Sequence, residues 1–137
     1  MGRFKATLEL ANEVDLILAG QGQLADDKVR RVQIEGVVDT GAAKLVLPES
    51  VARELGCPDG NPITVKYADQ RTATRATVHN VWLKLGNRTG AFSAVLEPQR
   101  TTALIGAIVM EELDLVADCV SGELRPRDPD TVVAEIE

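Results

Sequence analysis

The feature that most constrains this chain is its stock of β-branched side chains. It has 16 valines, 10 threonines and 6 isoleucines among 137 residues. Such residues are stiff at χ1 and suit a pleated surface better than a helix. They fall in short apolar runs punctuated by Gly, Pro, Asn and Asp, the spacing of an all-β barrel or sandwich. Residues 4–10 alternate apolar and polar side chains, as a half-buried strand does. Residues 14–19 read as a partner strand, and 20–27 as a loop. A second long strand is expected over 29–38, with Val32, Ile34 and Val38 on one face, and a short one over 44–47. Residues 63–68 and 72–78 read as the arms of a hairpin around Asp69-Gln70. Val81, Leu83 and Leu85 alternate with Trp82 and Lys84. A turn at Gly86-Asn87 then leads into a strand over 91–96.

Two stretches break the β pattern. Residues 48–56 begin with Pro48 and Glu49 and end with Gly56, the start and stop signals of a helix. Residues 107–113 carry Ile108, Val109 and Leu113 at helical spacing. One or two short helices are therefore expected beside the strands. Residues 1–125 read as one domain, a size that buries a core without staples. Residues 126–137 read as a loose acidic tail, although Val132, Val133 and Ile136 offer apolar docking points.

Composition narrows the function classes. The net charge is −6 and aromatics are 3% of the chain, so neither the basic footprint nor the stacking surface of a nucleic-acid binder is present. One histidine, His79, and two cysteines, Cys57 and Cys119, lack the spacing of a structural zinc site. No metal and no cofactor are expected. Arg71 and Arg75 on the hairpin read as a solvated strand face. His79 and both cysteines read as structural or incidental, since no nucleophile motif accompanies them. The longest early apolar run, Leu16-Ile17-Leu18-Ala19, is too short to span a bilayer. With no secretion signal visible, a cytoplasmic location with reduced thiols is the expectation, without membrane or nucleic-acid partners.

The stretch that carries chemistry is Val37-Val38-Asp39-Thr40-Gly41-Ala42. Two apolar strand residues deliver a carboxylate into a tight turn, where partial desolvation is expected. Gly41 permits close backbone approach, and Thr40 supplies a hydroxyl that both donates and accepts. Asp-Thr-Gly alone is also ordinary turn chemistry. Here it is followed by Leu45-Val46-Leu47-Pro48 and a helix. Further on come Ala103-Leu104-Ile105-Gly106, again before a helix, and a last strand, Leu115-Val116-Ala117-Asp118, with a turn at Ser121-Gly122.

In that combination the sequence resembles the retroviral-type (retropepsin-like) aspartic peptidases, most closely their small bacterial relatives, over nearly the whole chain. The resemblance implies a closed, single-lobe acid-protease-type β-barrel assembled as a twofold dimer. It implies that Asp39 is the catalytic aspartate, that the Thr40 hydroxyl braces the two active-site loops across the interface, and that Gly41 lets the turn close beneath substrate. Leu104-Ile105-Gly106 would pack under the catalytic loop. Ala42 would contact substrate, and Tyr67, Ala68, Asp69 and Gln70 would form the flap over it. Close relatives usually have glycine where Gln70 stands, which restricts this turn. Lys44, close after the motif, would favour ionised carboxylates if it pointed inward, and otherwise reads as a solvated charge. The mechanism needs two aspartates, and this sequence holds one such motif; Asp130-Thr131-Val132 lacks the glycine. A homodimer with an Asp39/Asp39 dyad, acting on a peptide or protein substrate, is the resulting expectation. Two alternatives remain. One is a catalytically weak or inactive dimeric peptide-binding module on the same fold. The other is an unrelated barrel in which Asp39 is only a turn residue.

Overall fold

The computed structural model describes residues 3–118, 120–128, 134 and 136. Six strands close into a barrel: β1 (Arg3–Asn12), β2 (Arg31–Asp39), β3 (Leu45–Pro48), β6 (Thr77–Leu85), β7 (Arg88–Glu97) and β8 (Ala103–Ile105). Their order around the barrel is β1-β2-β8-β3-β7-β6, with β1 also paired to β6. Most neighbours are antiparallel. The β2–β8 and β3–β7 pairs are parallel. The remaining strands, β4 (Ile63–Lys66) with β5 (Thr72–Arg75) and β9 (Leu115–Asp118) with β10 (Glu123–Pro126), form two separate hairpins.

The expected strand alternation is reproduced where the barrel buries one face. Leu8 and Leu10 on β1 are almost fully buried, as are Val81 and Leu83 on β6. Val38, Leu45, Leu47, Leu96 and Ile105 complete the centre of the core. The alternation of β6 changes phase between Val78 and Val81, because one extra residue bulges out of its pairing with β7. Asn80 sits at that bulge with φ 61°. The arm expected over 72–78 is divided: β5 pairs with β4 in the outer hairpin, and Thr77 begins a barrel strand paired to β7.

Two sequence readings need correction. Residues 14–19 are not a strand but lie within helix α1 (Glu13–Gly20). The Asn12 side chain caps the helix by accepting from the Asp15 amide, and its Nδ2 donates to the Leu55 carbonyl at 2.9 Å. The capping signal at Asn12 outweighs the apolar run that follows it. With α2 (Glu49–Leu55) and α3 (Ala107–Leu113), the described residues hold three short α-helices rather than one or two. Helix α2 ends at Gly56 in the left-handed region, φ 65°, as its stop signal predicts. On α3 the inward face is Val109, Met110 and Leu113, while Ile108 is 47% exposed.

Cys57 is buried against the Asn80 carbonyl, and burial pushes its thiol pKa up, which suits an inert structural cysteine. His79 is exposed and pairs with the Ser93 hydroxyl at 2.7 Å. Cys119, Asp130-Thr131-Val132 and the docking points Val132 and Val133 lie outside the described residues; Ile136 is 91% exposed. Among the described residues no helix is long and apolar enough to cross a membrane.

Candidate active site

Strand β2 runs between β1 and β8, so its last residues are built into the barrel wall. Val38 pairs with Ile105, and both are fully buried. The next residue is Asp39, half-buried at the strand end. The chain then turns sharply. The Gly41 amide donates to Asp39 Oδ1 at 3.0 Å, and the Ala42 amide donates to the Asp39 carbonyl at 3.0 Å. Asp39 thereby organises the loop that presents it. Thr40 and Gly41 are exposed.

The loop is held through the backbone immediately after Leu104-Ile105-Gly106, the segment expected to pack under it. The carbonyls of Ala42 and Ala43 accept from the amides of Ala107 and Ile108, at 2.8 and 2.9 Å. These are first-turn amides of α3, which have no partner within their own helix. Gly106 is required by proximity. A Cβ there would lie 2.6 Å from the Lys44 carbonyl oxygen and 2.8 Å from that of Ala42. Both contacts are with backbone, so the loop would have to move. Ile105 fills the core beneath Asp39. Leu104, half-buried on the other face of the strand, lines the cleft beside it.

The β4–β5 hairpin overhangs this loop. Between them lies a cleft of about 550 Å³, lined from below by Gly41, Ala42, Ala43, Lys44, Val46 and Leu104 and from the hairpin by residues 63–67. A second cavity of about 320 Å³ shares Lys44, Ile63 and Val95 with the first, which lengthens the groove toward His79 and Ser93. Ala42 and Tyr67 thus share one cleft. The tip residues Ala68, Asp69 and Gln70 are exposed and outside its lining. Asp39 opens the loop that forms the floor without itself lining the cavity.

The tip is a three-residue turn. The Tyr67 amide donates to the Arg71 carbonyl and the Gln70 amide to the Tyr67 carbonyl, each at 2.9 Å, and Gln70 takes φ 74°. That is the left-handed position of such a hairpin, normally given to glycine. Asp69 braces the turn: Arg71 donates to it from Nε at 2.6 Å and from its amide at 3.0 Å. Those bonds hold the Asp69 carboxyl below its ordinary range. Lys44 is exposed, as its solvated reading has it.

A polar cluster that the sequence did not reveal ties the hairpin to the barrel. The Tyr67 hydroxyl donates to Glu97 Oε2 at 2.5 Å, while Arg75 Nε lies 2.9 Å from Glu97 Oε1 and 3.0 Å from the Tyr67 hydroxyl. The Glu97 carboxylate and burial together push the Tyr67 pKa up, so the phenol stays a donor. Arg75 is therefore an ion-pair partner rather than a solvated residue. Arg71 and Arg75 also lie 5.4 and 5.8 Å from the centroid of the Tyr67 ring. Among the described residues no group of His, Cys, Asp or Glu is arranged to hold a metal ion.

Comparison with known families gives a match over the candidate site. The model of the gag-polyprotein putative aspartyl protease family covers residues 25–112, well over half of the chain. That span holds β2, the Asp39 turn, the overhanging hairpin and Gly106. No curated protein sequence matches the chain.

Proposed function

The chain belongs to this gag-type aspartyl protease family, and from that premise we propose that it is an aspartic endopeptidase working as a homodimer. The observation that carries the proposal is the Asp39 turn. A half-buried carboxylate follows a fully buried strand pair, and the loop that presents it is braced by the α3 amides beside a cleft under a hairpin. The sequence holds one Asp-Thr-Gly, so a second Asp39 has to come from a second copy.

In this reading the β4–β5 hairpin is the flap, and an extended peptide lies in the cleft, held largely through main-chain hydrogen bonds. Two carboxylates about 3 Å apart share one proton, as is general for aspartic proteases. The ionised one takes a proton from water, whose oxygen attacks the scissile carbonyl. The protonated one stabilises the developing oxyanion and supplies a proton as the C–N bond breaks. Thr40, exposed in the single chain, has the role of bonding across the interface. Gly41 and Ala42 border the peptide.

Replacing Asp39 with Asn should lower cleavage of a broad peptide library by about 10³-fold or more, with the circular dichroism spectrum unchanged. Full activity in that variant would remove Asp39 from the mechanism. A second reading, a dimeric peptide-binding module with weak or no turnover, draws support from Gln70, which holds at φ 74° a flap position normally given to glycine. Pepstatin-sensitive cleavage by the wild-type protein decides against it.

A further inference from the structure

The chain carries a net charge of −6, yet the cleft beneath the hairpin is cationic. Its lining includes Lys44, Lys66 and Arg100, against a single carboxylate, Glu97. Glu97 does not balance them, because Arg75 and Tyr67 occupy both its oxygens. None of the ion pairs found among the described residues involves Lys44, Lys66 or Arg100. Three positive charges thus converge on one groove of an acidic molecule and focus a positive potential there.

Arg100 is the fixed member of the group. It is half-buried, with Nε donating to the Thr102 carbonyl at 2.9 Å and Nη2 to the Thr102 hydroxyl at 3.2 Å. Nη1 makes no hydrogen bond among the described residues. A guanidinium already held in place gives up little freedom on receiving a carboxylate, and its planar fork matches that group. Val46, Val95 and Leu104 supply apolar lining around it, which strengthens a charge interaction relative to open water.

We infer that this cleft selects peptides bearing an acidic side chain, Asp or Glu, close to the scissile bond. Arg100 is the specificity-determining cation, and Lys44 and Lys66 add to the attraction. The inference rests on the protease reading for the word scissile, but the charge selection itself is a property of binding.

The test uses peptide pairs identical except for Glu or Gln at one position, scanned over the four residues on each side of the cleaved bond. Each pair is followed by cleavage with the wild-type protein and by fluorescence anisotropy with the Asp39→Asn protein. At the best position the Glu peptide should be favoured about tenfold at low salt, and the advantage should shrink as salt screens the charges. Arg100→Gln should bring the Glu/Gln ratio toward one, while Arg100→Lys retains part of it. Because Arg100 also holds the Thr102 turn, the double variant Lys44→Gln/Lys66→Gln provides a second check. Both lysines are exposed, and their loss should lower the ratio in a folded protein. A ratio near one at every position overturns the inference, as does a ratio untouched by both the Arg100→Gln and the double-lysine changes. Preferential binding without cleavage would instead defeat the protease reading and leave charge selection standing. Absence of binding by either peptide overturns both.

Discussion

Gln70 occupies a position whose backbone suits a different side chain. At φ 74° it takes the left-handed conformation, which costs an L-residue about 1–2 kcal/mol. Glycine there removes that strain but gives back about 0.5–1 kcal/mol through the freer unfolded chain. The net expectation for Gln70→Gly is a gain of up to ~1.5 kcal/mol, read as a higher urea midpoint. A midpoint below that of the wild type would mean that Gln70 makes a contact outweighing its backbone strain. The same substitution widens the conformations open to the hairpin tip, so kcat should rise if flap movement rather than chemistry limits turnover. The oddity of Gln70 was legible in the sequence as a departure from a family pattern. Its φ value gives that departure a physical content. Gly106 was legible in the same way, yet the reason only Gly fits there is the closeness of the Ala42 and Lys44 carbonyls, which no local pattern encodes.

At the level of elements, helix α1 is where the sequence reading failed. Residues 14–19 form a short apolar run, and periodicity alone cannot separate a strand from a helix over that length. The deciding signal was Asn12 with an acid three residues later. Asp15 completes the anchor by accepting three bonds from Arg30: the amide at 3.0 Å, Nε at 2.8 Å and Nη2 at 3.0 Å. The guanidinium bonds are the main reason the Asp15 carboxyl titrates below its ordinary 3.8, against the opposing effect of burial. A depressed folded pKa favours the ionised form. The stabilisation is therefore complete above about pH 4 and is lost as pH falls through the lower folded value. Asp15→Asn should cost about 1–2 kcal/mol at neutral pH, a figure discounted because Arg30 is half exposed. Denaturation at pH 7 and pH 3 measures this directly, and the gap between wild type and variant should narrow at pH 3. An equal gap at both values would mean that the carboxylate charge is not what anchors α1. Helix α2 was readable in full because its start signal, Pro48-Glu49, and its stop signal, Gly56, are both local to the segment. The division between β5 and β6 was not readable, because it depends on long-range pairing: β5 pairs with β4 and β6 with β7.

For the whole molecule, local patterns conveyed a barrel or sandwich and the Asp39 turn, the family resemblance narrowed this to a closed barrel, and long-range partners stayed hidden. Tyr67, Arg75 and Glu97 meet across 22 and 30 residues of sequence, and no periodicity links them. Stoichiometry follows from a different kind of reasoning. The proposed mechanism uses two aspartates, and set against a chain with one Asp-Thr-Gly it predicts that the active unit is a pair. That claim has a quantitative signature. If wild-type protein is mixed with Asp39→Asn protein and the subunits exchange at random, wild-type dimers form as the square of the wild-type fraction. Activity per wild-type chain should then fall in proportion to that fraction, because each mixed dimer holds only one working carboxylate. A protein that acts as a monomer would show constant activity per wild-type chain at every ratio. Dilution gives an independent arm. Specific activity should drop below the dimer dissociation constant and recover on concentration, and sedimentation at the same concentrations should show the matching shift from two chains to one. Activity that survives both dilution and mixing would separate catalysis from dimerisation and require the second proton-transfer group to lie within the single chain.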